Sequence, residues 1–376
     1  MRIEQLHKPA DRAWPPAADP GRADLILVFG APARLDAACI GALKTRYPGA
    51  ILFGCSTAGE ILGAHVHDDS VTATAIAFDE TTLKLAYQAV GEDNDSLAVG
   101  AALAAQLPTD GLRHVLVLSD GLHVNGTDLV EGIRRGVPEN VGITGGLAGD
   151  GARFQRTLVI ADAAPAERLV AAIGFYGDRI RVGHGCLGGW DPFGPDRLIT
   201  RSRGNVLYEL DGQSALALYK QYLGEHAAGL PATGLLFPLA LRGAGSGDIS
   251  LVRTILSVDE DEQSLTFAGD IPEGSYARLM KANFDRLVEG ASGAARLARG
   301  GESETVPELA LLISCVGRKL VLKQRVEEEV EGVRDALGAR TALTGFYSYG
   351  EISPYAPTAR CELHNQTMTI TTFSEP

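Results

Sequence analysis

Tryptophan, methionine and cysteine are scarce in this chain of 376 residues, with two, three and five copies. The cysteines (Cys39, Cys55, Cys186, Cys315 and Cys361) are odd in number and widely spaced. That excludes a disulfide framework and suits a reducing cytoplasm. No apolar run approaches the roughly 20 residues that a membrane-spanning helix needs. The opening MRIEQLHKPADRAWPPAADPGRAD lacks the apolar centre of a signal peptide, so residues 1–22 read as a mobile lead-in. Positive charge is in deficit: 34 Lys and Arg against 47 Asp and Glu leave a net charge of −13. Nucleic acid and anionic membrane would both repel such a surface.

Glycine is plentiful, with 45 residues that imply many tight turns or close backbone approaches. One such turn lies in ILFGCSTAGEIL (51–62), where Gly54 and Gly59 follow an apolar run as in a phosphate-binding loop. The next two positions hold Glu60 and Ile61, where that loop needs Lys and then Ser or Thr. A carboxylate repels phosphate and Ile cannot coordinate magnesium, so nucleoside triphosphates are excluded here.

The turn is repeated. LTGFYSYGEISP (343–354) carries Gly345, Gly350 and Glu351 at the spacing of Gly54, Gly59 and Glu60. The context repeats as well: strand 24–30, helix 36–49 and a strand into the first turn, against strand 307–317, helix 324–338 and a strand into the second. A third version runs from HVLVLSDG (114–121) through DLVEGIRRG to VGITGGLAGDG (141–151), ending on Asp150. The expected class is α/β, with duplicated strand–helix–strand units, mixed sheets and helices packed on them. A Gly- and Pro-rich seam over 184–205 places a domain boundary near 205, giving domains 23–205 and 206–376. Beyond it DGQSALALYKQYLG reads as a helix with Ser214 as N-cap and Gly224 as its stop.

The stretches GCSTAGEI, GITGGLAGD, GHGCLGGWDPFGP, LYELDGQSALALYKQYLG, GDIPEGSYARLM, GFYSYGEISP and LHNQTMTIT, in that order, resemble the FIST family, with an N-terminal and a C-terminal FIST domain. The resemblance covers nearly everything from about residue 24 to 376. It implies an intracellular, cytoplasmic sensory module, not an enzyme, of a stand-alone type that signals through a separate protein. Small molecules such as amino acids are the ligands it implies. One branch of the family contains haem, senses nitric oxide and controls a histidine kinase. A homodimer is left open.

Under that resemblance the two turns could expose backbone N–H groups, with Glu60 and Glu351 lining one pocket between the domains or capping their own loops. Cys55, Ser56 and Tyr347 join them as ligand-binding candidates. In SDGLHVNG (119–126), Asp120, His123 and Asn125 follow a strand end, where open α/β sheets place ligands. A haem would draw on His184 as axial ligand, Cys186 or His364 as alternatives, and Trp190 and Phe193 as walls. Arg181 or Arg197 would answer a propionate. No metal ion is expected: His184, Cys186, Cys361 and His364 lack the usual zinc spacing. An enzyme using Cys55, or the Asp120 and His123 pair, is the rival from another class. His65 and His67, followed by two aspartates, read as a solvated loop. The run Glu327–Glu331 reads as the solvated face of a helix.

Overall fold

The computed structural model describes residues 1–16, 21–243, 251–300, 306–355 and 359–376. Three copies of one α/β unit form its body. In the first, Leu25–Gly30 pairs in parallel with Ile51–Ser56 across helix Ala37–Arg46, and Val71–Ala77 adds antiparallel. In the second, Leu112–Ser119 pairs with Gly142–Leu147 across helix Gly126–Gly136, and Leu169–Tyr176 adds antiparallel. In the third, Leu309–Cys315 pairs with Ala342–Ser348 across helices Val316–Leu322 and Val326–Leu337, and Met368–Ser374 adds antiparallel.

Strand alternation explains how the three sheets pack. Leu25, Leu27 and Phe29 share a single buried cluster with Leu116, Leu118, Leu309, Leu311 and Ile313, so one face of each sheet meets the others. The alternate residues face helices: Ile26 and Val28 pack with Ile40 and Leu43, and Leu312 packs with Val330 and Val333. Both faces are covered, which accounts for strands that read as continuous apolar runs.

The strand following each glycine turn leaves its own unit for the next. Glu60–Leu62 joins Ala342–Ser348, Gly350–Pro354 joins Gly142–Leu147, and Val159–Ala161 joins Ile51–Ser56. Backbone bonds close the ring: Ala58 N–H donates to Tyr347 O, Tyr349 to Leu147 O and Gly149 to Ser56 O. Gly54, Gly145 and Gly345 are equivalent. A Cβ on each would lie 1.9 Å from the carbonyl oxygen of Val28, Val117 and Leu312 respectively.

Strands between Trp190 and Ala282 form a separate nine-stranded sheet carrying helix Ala215–Leu223, which Ser214 caps by accepting from Ala217 N–H. Helix Phe284–Ala298 then returns the chain to the body. Position 205, near which the sequence places a domain boundary, lies between Arg197–Arg203 and Val206–Leu210 of this sheet, and residues after 306 complete the third sheet, whose edge is Arg181–Leu187. Three expectations are corrected. Within 1–22, of which 17–20 lie outside the described residues, Arg2–Lys8 is a strand paired with Val71–Ala77. His65–His67 is a strand, and the His67 ring stacks 4.0 Å from His7. Within the acidic run, Glu329 is fully buried against Arg318. Among the described residues no helix is long and apolar enough to cross a membrane.

Candidate functional site

The strand Leu112–Ser119 ends on Asp120, whose buried carboxylate organises the segment that follows. Its Oδ1 accepts from the N–H of Leu122 (2.8 Å) and His123 (2.7 Å) and lies 3.1 Å from His123 Nδ1. Its Oδ2 accepts from Arg168 N–H at 3.0 Å. Asn125 then caps helix Gly126–Gly136, accepting from the N–H of Thr127 and Asp128. Its amide also donates to Asp270 Oδ1 at 3.0 Å, which ties the body to the smaller unit.

Between these two parts lies a cleft of about 380 Å³. One wall is Leu122–Asn125, the opposite one is Leu256, Ser257 and Thr266–Ala268, and the floor includes Leu147. Phe154 and Tyr349 form the third wall, with rings stacked 4.4 Å apart. Tyr349 is fixed from behind, since its hydroxyl donates to Asp150. Burial opposes the Asp150 charge, but that hydroxyl and the N–H groups of Gln155, Arg156 and Phe154 hold its carboxyl below the ordinary range. No Lys, Arg, Asp or Glu lines the cleft among the described residues. It suits an uncharged, partly aromatic molecule that hydrogen-bonds to Asn94, Asn125, Asn205 or Ser257.

Of the residues singled out in the sequence, Asp120, His123 and Asn125 come together here. The others do not. Cys55 is fully buried toward the central core, its thiol pushed well up by burial, and it can touch no ligand. Ser56 is spent on Leu158 N–H at 2.8 Å, and Tyr347 donates to Glu329 at 2.7 Å. Glu60 accepts from Thr57 and Ser70 hydroxyls, and Glu351 from Ser348 and Thr367. The shared pocket expected for these two carboxylates is absent among the described residues: each is clasped by hydroxyls, and Glu60 alone opens onto a groove.

Burial dominates both carboxyls, raising Glu60 to about 7 and Glu351 to about 8. A native carboxyl above its unfolded value of about 4.3 binds more protons than the unfolded chain. Its stabilising proton is in place at low pH and is lost as pH rises through the native value. Stability should therefore fall on the order of a few kcal/mol as pH climbs from about 4.3 toward 8. Glu351→Gln should flatten that fall, as read from urea midpoints across the range. An unchanged slope would count against the assignment.

The residues expected to hold haem are dispersed. His184 lines a cavity of about 420 Å³ with the polar groups Arg134, Glu139, Asn140 and Arg360. Cys186 is fully buried, with its thiol pushed up to about 12 by burial. Trp190 donates to Gln366 O at 2.8 Å, Phe193 lies under Lys281 on the surface, and His364 faces Ser353 O at 2.9 Å. Arg197 is paired with Asp211, and Arg181 lines another depression. These residues make no porphyrin slot and do not fit a haem.

Sequence reasoning missed Phe154, Tyr349 and the whole Leu256–Ala268 wall. Tyr349 lies inside the GFYSYGE turn and could have been found from it. The wall residues carry no chemical signal.

Family models match residues 24–213 as the FIST N domain and 215–354 as the FIST C domain. An uncharacterized protein of Methanocaldococcus jannaschii is 26% identical over 317 residues, covering 77% of this chain, and this chain spans 59% of its length. Two solved structures align over 99% of the chain at low similarity. A chorismatase gives a TM-score of 0.36 at 10% identity and is covered over 98% of its length. A cyanuric acid hydrolase from A. caulinodans gives 0.37 at 6% and is covered over 99%. With both FIST models matched along most of its length, the chain belongs to the FIST family, sensory domains of signal-transduction proteins that bind small ligands.

Proposed function

We propose that this protein is a non-enzymatic cytoplasmic sensory module whose small ligand sits in the cleft between the body and the nine-stranded unit. The observation that carries this is the cleft itself. It lies at the C-terminal ends of two parallel strands, and Asn125 and Asp270 tie its two sides together. A molecule bridging the sides would bias their spacing, and a separate signalling protein, of the histidine kinase class in the family resemblance, would read that change. The ligand is uncharged. A free amino acid would bring two charges into a cleft lined by no Lys, Arg, Asp or Glu among the described residues, so its ammonium would meet no carboxylate and its carboxylate no Lys or Arg.

The test is a thermal-shift screen of small uncharged aromatic compounds on wild type and on Ala268→Trp, whose indole would fill the cleft. Compounds that raise the melting temperature of wild type and leave the variant unmoved are expected. Equal shifts in both proteins would defeat the reading. Haemin forms a second arm: a stoichiometric complex lost in His184→Ala would restore the haem-based nitric oxide reading, and its absence is expected.

A further inference from the structure

Three equivalent units leave three equivalent depressions beside their turns. The second is the cleft. The third is filled from within, because helix Val316–Leu322 starts directly at the strand end. Its Lys319 Nζ donates to Ala58 O at 2.8 Å above the Tyr347 ring, and the Gln366 side chain packs on Gly317. The first is an open groove of about 390 Å³, between Pro32, Thr57 and Glu60 on one side and Arg153 and Arg156 on the other. Its position matches the cleft, at the ends of the parallel strands Leu25–Gly30 and Ile51–Ser56.

Most charges around this groove are already matched. Asp69 pairs with Arg34, Asp68 with Lys319 and Arg156 with Glu167. Asp150 is committed to three backbone N–H groups and the Tyr349 hydroxyl. Arg153 is different: its nearest carboxylate is that same Asp150, at 3.9 Å, and its side chain is 59% exposed. A guanidinium with no closely paired carboxylate faces the groove. Such a group recognises a carboxylate through two parallel hydrogen bonds.

We propose that this groove is a second ligand site, taking a small monocarboxylate whose oxygens pair with Arg153. Glu60 on the floor sets its pH dependence. The groups around Glu60 are Lys319, Asp68, Asp69, Asp150, Arg153, Arg156 and, opposite it in the strand ladder, His67. Burial makes the proton-bearing form of Glu60 accessible near pH 7. With the proton on, the floor is neutral and tolerates an anion; with it off, a like charge faces the ligand. Above about pH 7, where inorganic phosphate is mainly a dianion, it suffers more from the surrounding aspartates than a monocarboxylate does and binds less well.

The groove and the cleft share a wall. Segment 150–156 turns Arg153 and Arg156 to the groove, while Phe154, at a left-handed φ of 53°, stacks on Tyr349 in the cleft. Occupancy of one side therefore acts on a residue lining the other.

The experiment is an amide NMR titration of the whole protein with propionate, and separately with inorganic phosphate, on either side of about pH 7. Saturable shifts are expected at Gly59, Gly151 and Gln155, stronger at the lower pH. Arg153→Ala should weaken them about tenfold or more, a loss of about 1.4 kcal/mol. Arg153→Lys should recover part of the affinity, and Glu60→Gln should bind with no pH dependence. No saturable shift, shifts that survive Arg153→Ala, or phosphate binding as well as propionate on the higher-pH side would each overturn the proposal. Residues 121–125 report the cleft in the same spectra, so failure of one site is told apart from failure of the other.

Discussion

Replacing Arg318 with Ala should cost about 3–5 kcal/mol of stability, the range for stripping one partner from a buried ion pair. Arg318 and Glu329 are both fully inaccessible, with Nη2 and Oε2 2.8 Å apart. Arg318 also donates to Gly188 O and Leu287 O. Glu329 accepts from the Ser314 and Tyr347 hydroxyls. One guanidinium thus joins the loop after Arg181–Leu187 to helices Phe284–Ala298 and Val326–Leu337. Without it Glu329 would be an anion in an apolar interior with two hydroxyls for company. The double variant Arg318→Met, Glu329→Leu should recover much of the loss, because both buried charges go together. The urea midpoint measures each variant. A single variant within about 1 kcal/mol of wild type would show that the pair is not buried as described.

The second large effect is expected at three equivalent glycines, one inside a strand of each unit. An Ala at Gly54 puts a Cβ 1.9 Å from Val28 O, in a ladder that cannot widen without breaking the parallel pair. Overpacking costs about 1–3 kcal/mol, and an obstacle of backbone atoms places this change at the upper end. Gly345→Ala meets the same obstacle at Leu312 O and should cost as much, while Gly145→Ala meets it at Val117 O and adds the strain of a φ of 156°, so it should cost more. Gly41→Ala, in helix Ala37–Arg46 with nothing within 4 Å of its Cβ, should instead stabilise by about 1 kcal/mol. Unequal costs at Gly54 and Gly345 would contradict their equivalence. Large and equal costs there, with a larger one at Gly145, would support a backbone built three times from one plan.

That plan was largely legible in the sequence. Local patterns produce the strand, helix, strand and glycine turn of each unit, and Gly54, Gly145 and Gly345 mark the same backbone contact. The exchange of strands between units was not legible. Glu60–Leu62 is three residues long, and which edge it joins depends on a partner some 280 positions away. Arg2–Lys8 was missed because its pairing with Val71–Ala77 is also long-range and its own pattern offers only Ile3 and Leu6. In sequence Glu329 looks like its acidic neighbours, since the groups that hold it inward, Ser314, Arg318 and Tyr347, lie on other elements.

The site divides in the same way. Asp120, His123 and Asn125 follow one strand within six residues, so local reasoning found them. Leu256 and Phe267 face them only after the nine-stranded sheet has formed. Among the residues proposed for haem, His184 and Trp190 are close in sequence but lie on different strands, Arg181–Leu187 and Trp190–Pro192, and the Trp190 indole bonds to Gln366 O.

The location of the ligand is the central claim, and an amide chemical-shift map of the best-stabilising uncharged compound tests it most directly. Saturable shifts should cluster at Gly121–Asn125, Phe154, Ser257 and Tyr349, and should vanish in Ala268→Trp. Shifts confined to the seam around Arg181–Trp190, with the cleft residues unmoved, would contradict it.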